Sequence, residues 1–379
     1  MPDPLEETVP TTSGETPPQP GAGPVRLALV GSGYRAGMVL RLARRLPHLL
    51  SVTCVLVRRE AAATEVRERW GLPAARDVAG LLARGRPELA VVAAAAPDVL
   101  ADLVGRGVHV LQETPPAPDL PALRRTWERV GPSGLVHVAE QYPRNPVNAA
   151  RRSVVRGGAI GTPTSAQVSS TQLHHAVALL RDLLDVGFAP AEVRATTTRA
   201  PLLDPLGRAG WTGERAPREL ATTIATLDFG DGRTALYDFT ETQTRNPLRS
   251  RRTVVRGSHG ELVDDRLVRW VDPRTVVEQQ LVRRQPGTHQ DVQGMYLDHI
   301  SLDGRVVYRN DLAPHRLTDE EIAVTTLLRE AGTWARGLGP GPYPLAEGAQ
   351  DQLLGLAIEE AAATGRPVRT GAEAWAPTG

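Results

Sequence analysis

The stretch "VRLALVGSGYRAGMVLRLARRL", residues 25–46, constrains the fold more than any other part of the chain. Arg26 to Val30 are mostly apolar and predict a buried strand; a glycine turn follows, and then apolar residues recur at helical spacing. The alternation continues. "SVTCVLV", "LAVVAAAA", "VHVLQE" and "GLVHVAE" predict strands, while "AAATEVRERWG", "PDVLADLVGRG" and "DLPALRRTWERV" predict helices. Strands alternating with helices at these lengths imply a parallel sheet wound on both faces, that is, an α/β domain over residues 25–141.

The first turn reads Gly31-Ser32-Gly33-Tyr34-Arg35-Ala36, a G-x-G-x-x-A pattern between strand and helix. Gly31 permits the tight turn, Gly33 lets backbone approach a pyrophosphate, and Ala36 allows close packing of helix on strand. The helix N-terminus then faces the anion, so the turn predicts dinucleotide binding. A site preferring NAD would carry Asp or Glu at the end of the second strand, yet this chain has Arg58 and Arg59 there. Two guanidiniums suit a 2′-phosphate, which favours NADP and leaves NAD as the alternative if the pair is only a solvated basic turn.

Composition removes several other functions. The formal net charge is +1, with no block of like charges, which argues against nucleic acid and anionic membrane as partners. No apolar run approaches the roughly 20 residues of a membrane span, and the acidic, proline-rich start is unlike a signal peptide, so a cytoplasmic location is expected. Residues 1–24 hold too little apolar surface to order and are expected to be a disordered tail. The single cysteine, Cys54, lies in an apolar strand and rules out a disulfide framework. His109, His137 and His259 lack partners at metal-ligand spacing, so no metal is expected. All 44 basic residues are arginine. Arginine hardly ever gives up its proton, so Schiff-base chemistry and a lysine general acid are excluded.

Beyond residue 141 the texture becomes β-rich. "TPTSAQVSS", "AEVRATTTRA", "ATTIATLDFGDGRTALYDFTETQ", "RRTVVRGSHGELVDDRLVRWV", "RTVVEQQLVRR" and "HISLDGRVVYRN" alternate and are joined by turns. Two segments, "PVNAARRSVVRGGAIG" and "HHAVALLRDLLDVG", have helical spacing. Residues 142–343 therefore predict an α+β domain with a large, mostly antiparallel open sheet, and residues 344–379 a long helix and tail bracing the two domains. The open face of the sheet, with its "ATLDF" and "ALYDF" strands, is expected to be covered by a second copy in a homodimer or larger homo-oligomer.

Taken in order, the glycine turn, "VHVLQETP", "AEQYPRNP", "RSVVRGGAIGTP", "HHAVALLRDLL", "VVRGSHGE" and "YPLAEGAQDQLLGLAIEEAAATGRPV" resemble the Gfo/Idh/MocA oxidoreductases from residue 25 to the end. The resemblance implies NAD or NADP in the N-terminal domain and a sugar, polyol or related small molecule against the C-terminal sheet, with hydride moving between nicotinamide and carbon. The family's Glu-Lys-Pro turn falls on Glu113-Thr114-Pro115, so its lysine is replaced by threonine. Its catalytic histidine fits His175, with His174 an adjacent rival; the aspartate common four residues earlier falls on Thr171, or on Ser170 if His174 is the match. Locally, Gln112-Glu113-Thr114-Pro115 and Tyr142-Pro143 resemble the thiazolinyl imine reductases of the same superfamily, which also lack the lysine.

Threonine's hydroxyl titrates far above the working range and cannot replace lysine as a proton donor, although it can hydrogen-bond a ribose or carbonyl. The proton donor is then expected to be His175, a residue type with an ordinary pKa of about 6.5, or Tyr142, just past the last Rossmann strand. Plainer roles stand beside these: Tyr142 as packing at the junction and His175 as a helix-capping or core histidine. Arg144 and Asn145 either grip substrate hydroxyls or are turn residues. Glu113 is expected to position a ribose or nicotinamide group. Two functions remain open: an NAD(P)-dependent oxidoreductase acting on a small sugar-like, keto or imine substrate, and a non-catalytic dinucleotide sensor or partner-binding protein of the same fold.

Overall fold

Val25–Val30 (β1) is buried at every position except Arg26, as a strand between two helical layers must be. The computed structural model describes residues 23–377. The tail expected over 1–24 lies outside the described residues apart from Gly23 and Pro24. After β1 come α1 (Tyr34–Arg45), β2 (Leu50–Leu56), α2 (Glu60–Trp70), β3 (Ala74–Ala75), α3 (Val78–Gly85), β4 (Leu89–Val92), α4 (Pro97–Gly105), β5 (His109–Gln112), α5 (Leu120–Val130) and β6 (Val136–Val138). The six strands pair in parallel in the order β3-β2-β1-β4-β5-β6, so the chain reverses direction across the sheet between β1 and β4.

The register matters for function. Leu56, Val30, Val92, Gln112 and Val138 are successive partners in one row, and each is the last residue of its strand. The loops that follow therefore leave from a single edge, at the switch point where α/β sheets bind ligands. The strand expected over 89–96 stops at Val92; Ala93 to Ala96 form a turn, because Pro97 starts α4 and lacks an N–H for a ladder. β3 and α3, which the sequence reading lacked, are two and eight residues long, too short to leave a clear period.

The second part of the chain runs α6 (Pro146–Arg156), β7 (Pro163–Val168), α7 (Leu173–Leu184), β8 (Glu192–Leu202), β9 (Leu206–Gly207), β10 (Gly210–Trp211), β11 (Arg218–Asp228), β12 (Thr234–Thr240), β13 (Thr253–Gly257), β14 (Gly260–Val263), β15 (Arg266–Asp272), β16 (Thr275–Arg284), β17 (His299–Leu302), β18 (Arg305–Arg309), α8 (Asp319–Ala335), α9 (Leu345–Thr364) and β19 (Val368–Arg369). Eleven strands form one sheet in the order β18-β17-β16-β15-β14-β13-β7-β12-β11-β8-β19. Only the β7–β12 pair is parallel; the other pairings are antiparallel. The mixed α/β architecture expected from the sequence is thus present: a parallel Rossmann sheet and a large, mostly antiparallel sheet. α7 packs on β7 and β12, burying Ala166, Ala235 and Tyr237 on that face. On the other face Ile224, Trp270, Val276 and Val282 remain between 45% and 65% exposed.

Contacts divide the described chain into residues 23–141 with Ala323–Ala349, and Tyr142–Ile322 with residues 350–377. Residues 323–343 thus cluster with the Rossmann unit, not with the 142–343 segment in which the sequence reading put them. The cause is packing. Gly332 of α8 lies so close to β1 that a Cβ there would meet Val25 Cγ2 at 2.3 Å, and Leu345 is buried in the core formed by Ala28, Val92 and Val138.

Candidate functional site

In the Rossmann unit the glycine turn is built by exclusion. Gly31 has φ +107°, and a Cβ there would lie 3.2 Å from Ala94 Cβ and 3.3 Å from the Ala93 carbonyl, so only glycine fits. Its N–H donates to the Leu56 carbonyl at 2.9 Å, closing the turn over β2. Gly33 is the N-cap of α1 in extended conformation, without a side-chain cap and without an acid in the first turn. A Cβ on Gly33 would meet nothing within 4 Å, so backbone there is open to a ligand. Ala36 is fully buried, Ser32 and Tyr34 are exposed, and a cleft beside the turn is lined by Gly31, Gly33, Tyr34, Arg41, Arg69 and Trp70. An uncapped helix start with open glycine backbone fits the pyrophosphate of a dinucleotide.

Arg58 and Arg59 follow β2, and both are exposed. Neither guanidinium has a carboxylate partner among the described residues. Glu60, the nearest acid, is instead engaged by Arg67 at 2.7 Å and by Arg76. The hydrogen bond from Arg67 and the charge of Arg76 hold its carboxyl below the ordinary range. The one acid beside the two arginines is therefore neutralised by others.

After β5, Glu113 donates its N–H to the Val92 carbonyl, and its Oε2 accepts from Arg35 Nε at 2.8 Å. With the Gln141 amide turned to satisfy both its ends, Oε1 accepts from Arg35 Nη2 at 3.2 Å and Nε2 donates to the Ala139 carbonyl at 2.9 Å. Arg35 thereby ties the start of α1 to two neighbouring strand ends, a role that the sequence reading did not see. Thr114 Oγ1 lies 3.5 Å from Glu113 Oε1, and the Thr114–Pro115 peptide is cis. Pro115 is exposed and Thr114 half-buried.

In the second unit, Tyr142–Arg144 form one turn of 3₁₀ helix before α6. Asn145 is the N-cap of α6, its Oδ1 accepting from the Val147 N–H at 3.2 Å, with Pro146 at the first helical position. That commits the Asn145 side-chain oxygen to the helix cap, leaving its amide nitrogen for any contact with substrate. Arg144 is half-buried in the same turn. The rings of Tyr142 and His175 lie 4.6 Å apart between centroids, and those of His174 and His175 4.2 Å apart. Tyr142 and His175, considered as separate donors from the sequence, are therefore neighbours, with the His174 ring tilted against His175.

This cluster stands on a strained support. Leu173, which opens α7, has φ +35°, a conformation rare for a branched side chain and concentrated at functional sites. Its N–H donates to Tyr237 Oη at 3.2 Å, and burial pushes the Tyr237 phenol up to about 12, so it stays neutral. Thr171 is fully buried, and its Oγ1 has no hydrogen-bond partner among the described residues. Ser169 Oγ donates to Asp238 Oδ2 at 3.2 Å. No three His, Cys, Asp or Glu side chains are grouped to hold a metal among the described residues, and no helix there is long and apolar enough to cross a membrane.

Fold and turn together define the class: a dinucleotide-type Rossmann domain joined to an α+β domain with one open sheet face. Residues 25–140 match the family described as "Oxidoreductase family, NAD-binding Rossmann fold". Comparison with curated protein sequences gives no match. Among solved structures, an oxidoreductase from Agrobacterium radiobacter, in complex with NAD+, L-tartaric acid and magnesium, is similar with TM-score 0.65 and 16% identity over 91% of this chain and 98% of that one. A myo-inositol dehydrogenase from Corynebacterium glutamicum gives TM-score 0.63 and 18% identity over 92% and 100%. The WlbA dehydrogenase from Chromobacterium violaceum, in complex with NADH and UDP-GlcNAcA, gives 0.61 and 17% over 92% and 97%. At such identities the likeness is one of fold.

Proposed function

We propose that this protein is an NADP-dependent oxidoreductase acting on a small sugar-like, keto or imine substrate, with Tyr142 and His175 as its proton-transfer pair. The observation that carries the reading is the Tyr142–His175 ring contact at 4.6 Å, beside a left-handed Leu173, in a chain whose other unit is an NAD-binding Rossmann domain. Bound at the Gly31–Ala36 turn, the dinucleotide would supply or accept hydride at its nicotinamide carbon. Arg58 and Arg59 would hold a 2′-phosphate. Glu113, held by Arg35, and Thr114 would orient the nicotinamide end. Tyr142 Oη or the His175 imidazole would give a proton to the carbonyl oxygen or imine nitrogen during reduction and take it back during oxidation. His174, with the amide nitrogen of Asn145 and the Arg144 guanidinium, would contact substrate. That solved relatives by fold carry L-tartaric acid or UDP-GlcNAcA supports a polar small molecule as the substrate class.

Titration with NADPH and NADH, followed by keto-sugars, ketones and cyclic imines while the reduced cofactor is monitored, tests the reading. Oxidation of NADPH by a member of the panel is the expected result. Tight cofactor binding with no oxidation anywhere would favour a non-catalytic dinucleotide sensor, the reading to which Thr114 in place of lysine lends weight. For cofactor choice, NADPH should bind more tightly than NADH. Arg58→Ala/Arg59→Ala should weaken NADPH by about tenfold or more while leaving NADH unchanged, since a hydrogen bond to a charged group contributes ~1.5–3 kcal/mol. Equal affinities in the unaltered protein would overturn the assignment.

The open sheet face supports self-association. Trp270 and Val276 are cross-strand partners, 45% and 65% exposed, and a two-fold contact would let such a row cover its own copy. Light scattering should give a multiple of the 40.7 kDa chain mass, and Trp270→Arg/Val276→Arg should shift it toward the monomer. A wild-type monomer at working concentration would contradict the assignment.

A further inference from the structure

The loop between β12 and β13, Glu241 to Arg252, carries four arginines and one acid. It is a built structure. Buried Gln243 donates from Nε2 to the carbonyls of Ser169 and Ser250, at 2.8 and 2.9 Å, and accepts the Thr240 N–H. Buried Asn246 donates to the Leu203 carbonyl at 2.8 Å. Arg245 reaches Asp204 Oδ2 at 3.3 Å, which Arg218 also meets at 2.7 Å. Thr242 has φ +70°, a strained conformation for a β-branched residue.

The other three arginines differ from Arg245. Arg249, Arg251 and Arg252 are exposed, and among the described residues none has a carboxylate partner; Arg249 and Arg251 donate only to the neighbouring Leu248 and Thr244 carbonyls. Elsewhere in this unit Arg151, Arg156, Arg181, Arg256, Arg266 and Arg283 each meet an acid; exposed Arg199, Arg215, Arg274 and Arg284 meet none among the described residues, but they stand apart along the sequence, whereas the loop's three fall within four residues. The loop is also placed where substrate chemistry is expected. Ser169 and Arg252 exchange backbone hydrogen bonds, at 2.8 and 3.3 Å, and Ser169 opens the segment that runs through the unpartnered, buried Thr171 to His174 and His175. Loop and histidines thus both stand at the C-terminal end of β7.

We infer that the Arg249–Arg252 loop binds an anionic oxygen group, carboxylate or phosphate, on the substrate. The inference rests on the Tyr142–His175 segment being the substrate site. Physically, exposed guanidiniums on a pinned loop present planar donors that match either anion bidentately, and no acid in the loop competes, since Glu241 Oε2 already accepts the Ala221 N–H.

The test is calorimetric and needs no turnover. Protein saturated with NADPH, so that the cofactor's own phosphate site is filled, is titrated with D-glucuronate, glucose 6-phosphate and glucose, for wild type and for Arg249→Gln/Arg251→Gln/Arg252→Gln. Wild type should bind at least one charged sugar about tenfold more tightly than glucose, and the triple variant should lose that margin. The two charged probes distinguish carboxylate from phosphate, and Arg252→Lys, which keeps charge without the fork, should be intermediate. Circular dichroism of each variant checks that the loop's neighbours remain folded. Equal binding of charged and neutral sugars by wild type, or an unchanged margin in a folded triple variant, overturns the inference. NADPH affinity, measured in the first titration, judges the cofactor reading separately.

Discussion

In single-turnover hydride transfer, Tyr142→Phe and His175→Ala should each slow the chemical step by about 10²- to 10⁴-fold, while Thr114→Ala slows it about tenfold at most. The magnitudes follow from different physics. Removing a general acid takes away a proton that the transition state needs. Removing the Thr114 hydroxyl takes away one neutral hydrogen bond, and that hydroxyl already leans at 3.5 Å on a Glu113 carboxylate held by Arg35. His174→Ala separates proton transfer from packing, because the His174 ring lies tilted against His175 at 4.2 Å and supports its orientation. It should cost less than His175→Ala if His175 carries the proton, and more if the two histidines exchange roles. NADPH affinity should change little in Tyr142→Phe, His175→Ala and His174→Ala, since none of these touches the residues proposed to hold the cofactor. Single-turnover conditions are required because slow product release would hide the step. Near-full rates in both Tyr142→Phe and His175→Ala, or a Thr114→Ala defect as large as theirs, would refute the assignment.

The Rossmann half was legible because its signals are local. A strand of contiguous apolar residues, a G-x-G-x-x-A turn and a helix period lie within residues 25–46. The row that aligns Leu56, Val30, Val92 and Gln112 was not legible, because the strand expected over 89–96 stops at Val92. Long-range pairings were not legible: Arg35 and Glu113 are 78 positions apart, and nothing in either neighbourhood announces the other. The contact of Tyr142 with His175 likewise depends on α7 returning beside the 3₁₀ turn, a packing outcome with no period to reveal it. Two features could have been read. Asn145-Pro146 is an N-cap followed by a proline at the first helical position, which predicts the capping role over the ligand role. Thr318 and Glu321 form a capping box, each satisfying the other's N–H at 3.2 and 2.9 Å, and that pattern marks the start of α8.

The helix that carries the histidines is held by a buried charge, and breaking it should be the most destabilising single change in the second unit. Arg181 of α7 and Asp351 of α9 are 4% and 2% exposed, with Nη1 and Oδ1 2.5 Å apart. Arg181 also donates from Nε and Nη2 to the Gly187 carbonyl, at 2.9 and 2.7 Å, and its guanidinium lies 5.4 Å from the Phe188 ring centre. A buried pair adds little net stability over apolar residues of the same size, because desolvation of both charges offsets their attraction. Losing one partner is different, since the remaining charge stays in low dielectric with its counter-charge gone and only neutral partners such as the Gly187 carbonyl in its place. Asp351→Ala should therefore cost about 3–5 kcal/mol in urea unfolding, whereas Arg181→Met/Asp351→Leu should recover most of that loss. The single variant should also disturb the α7 start, where a Cβ added to Gly355 of α9 would lie only 3.5 Å from the His174 backbone nitrogen, and so weaken substrate turnover more than NADPH binding. An Asp351→Ala cost below about 1 kcal/mol, the range of exposed pairs, would mean that water reaches this site in solution.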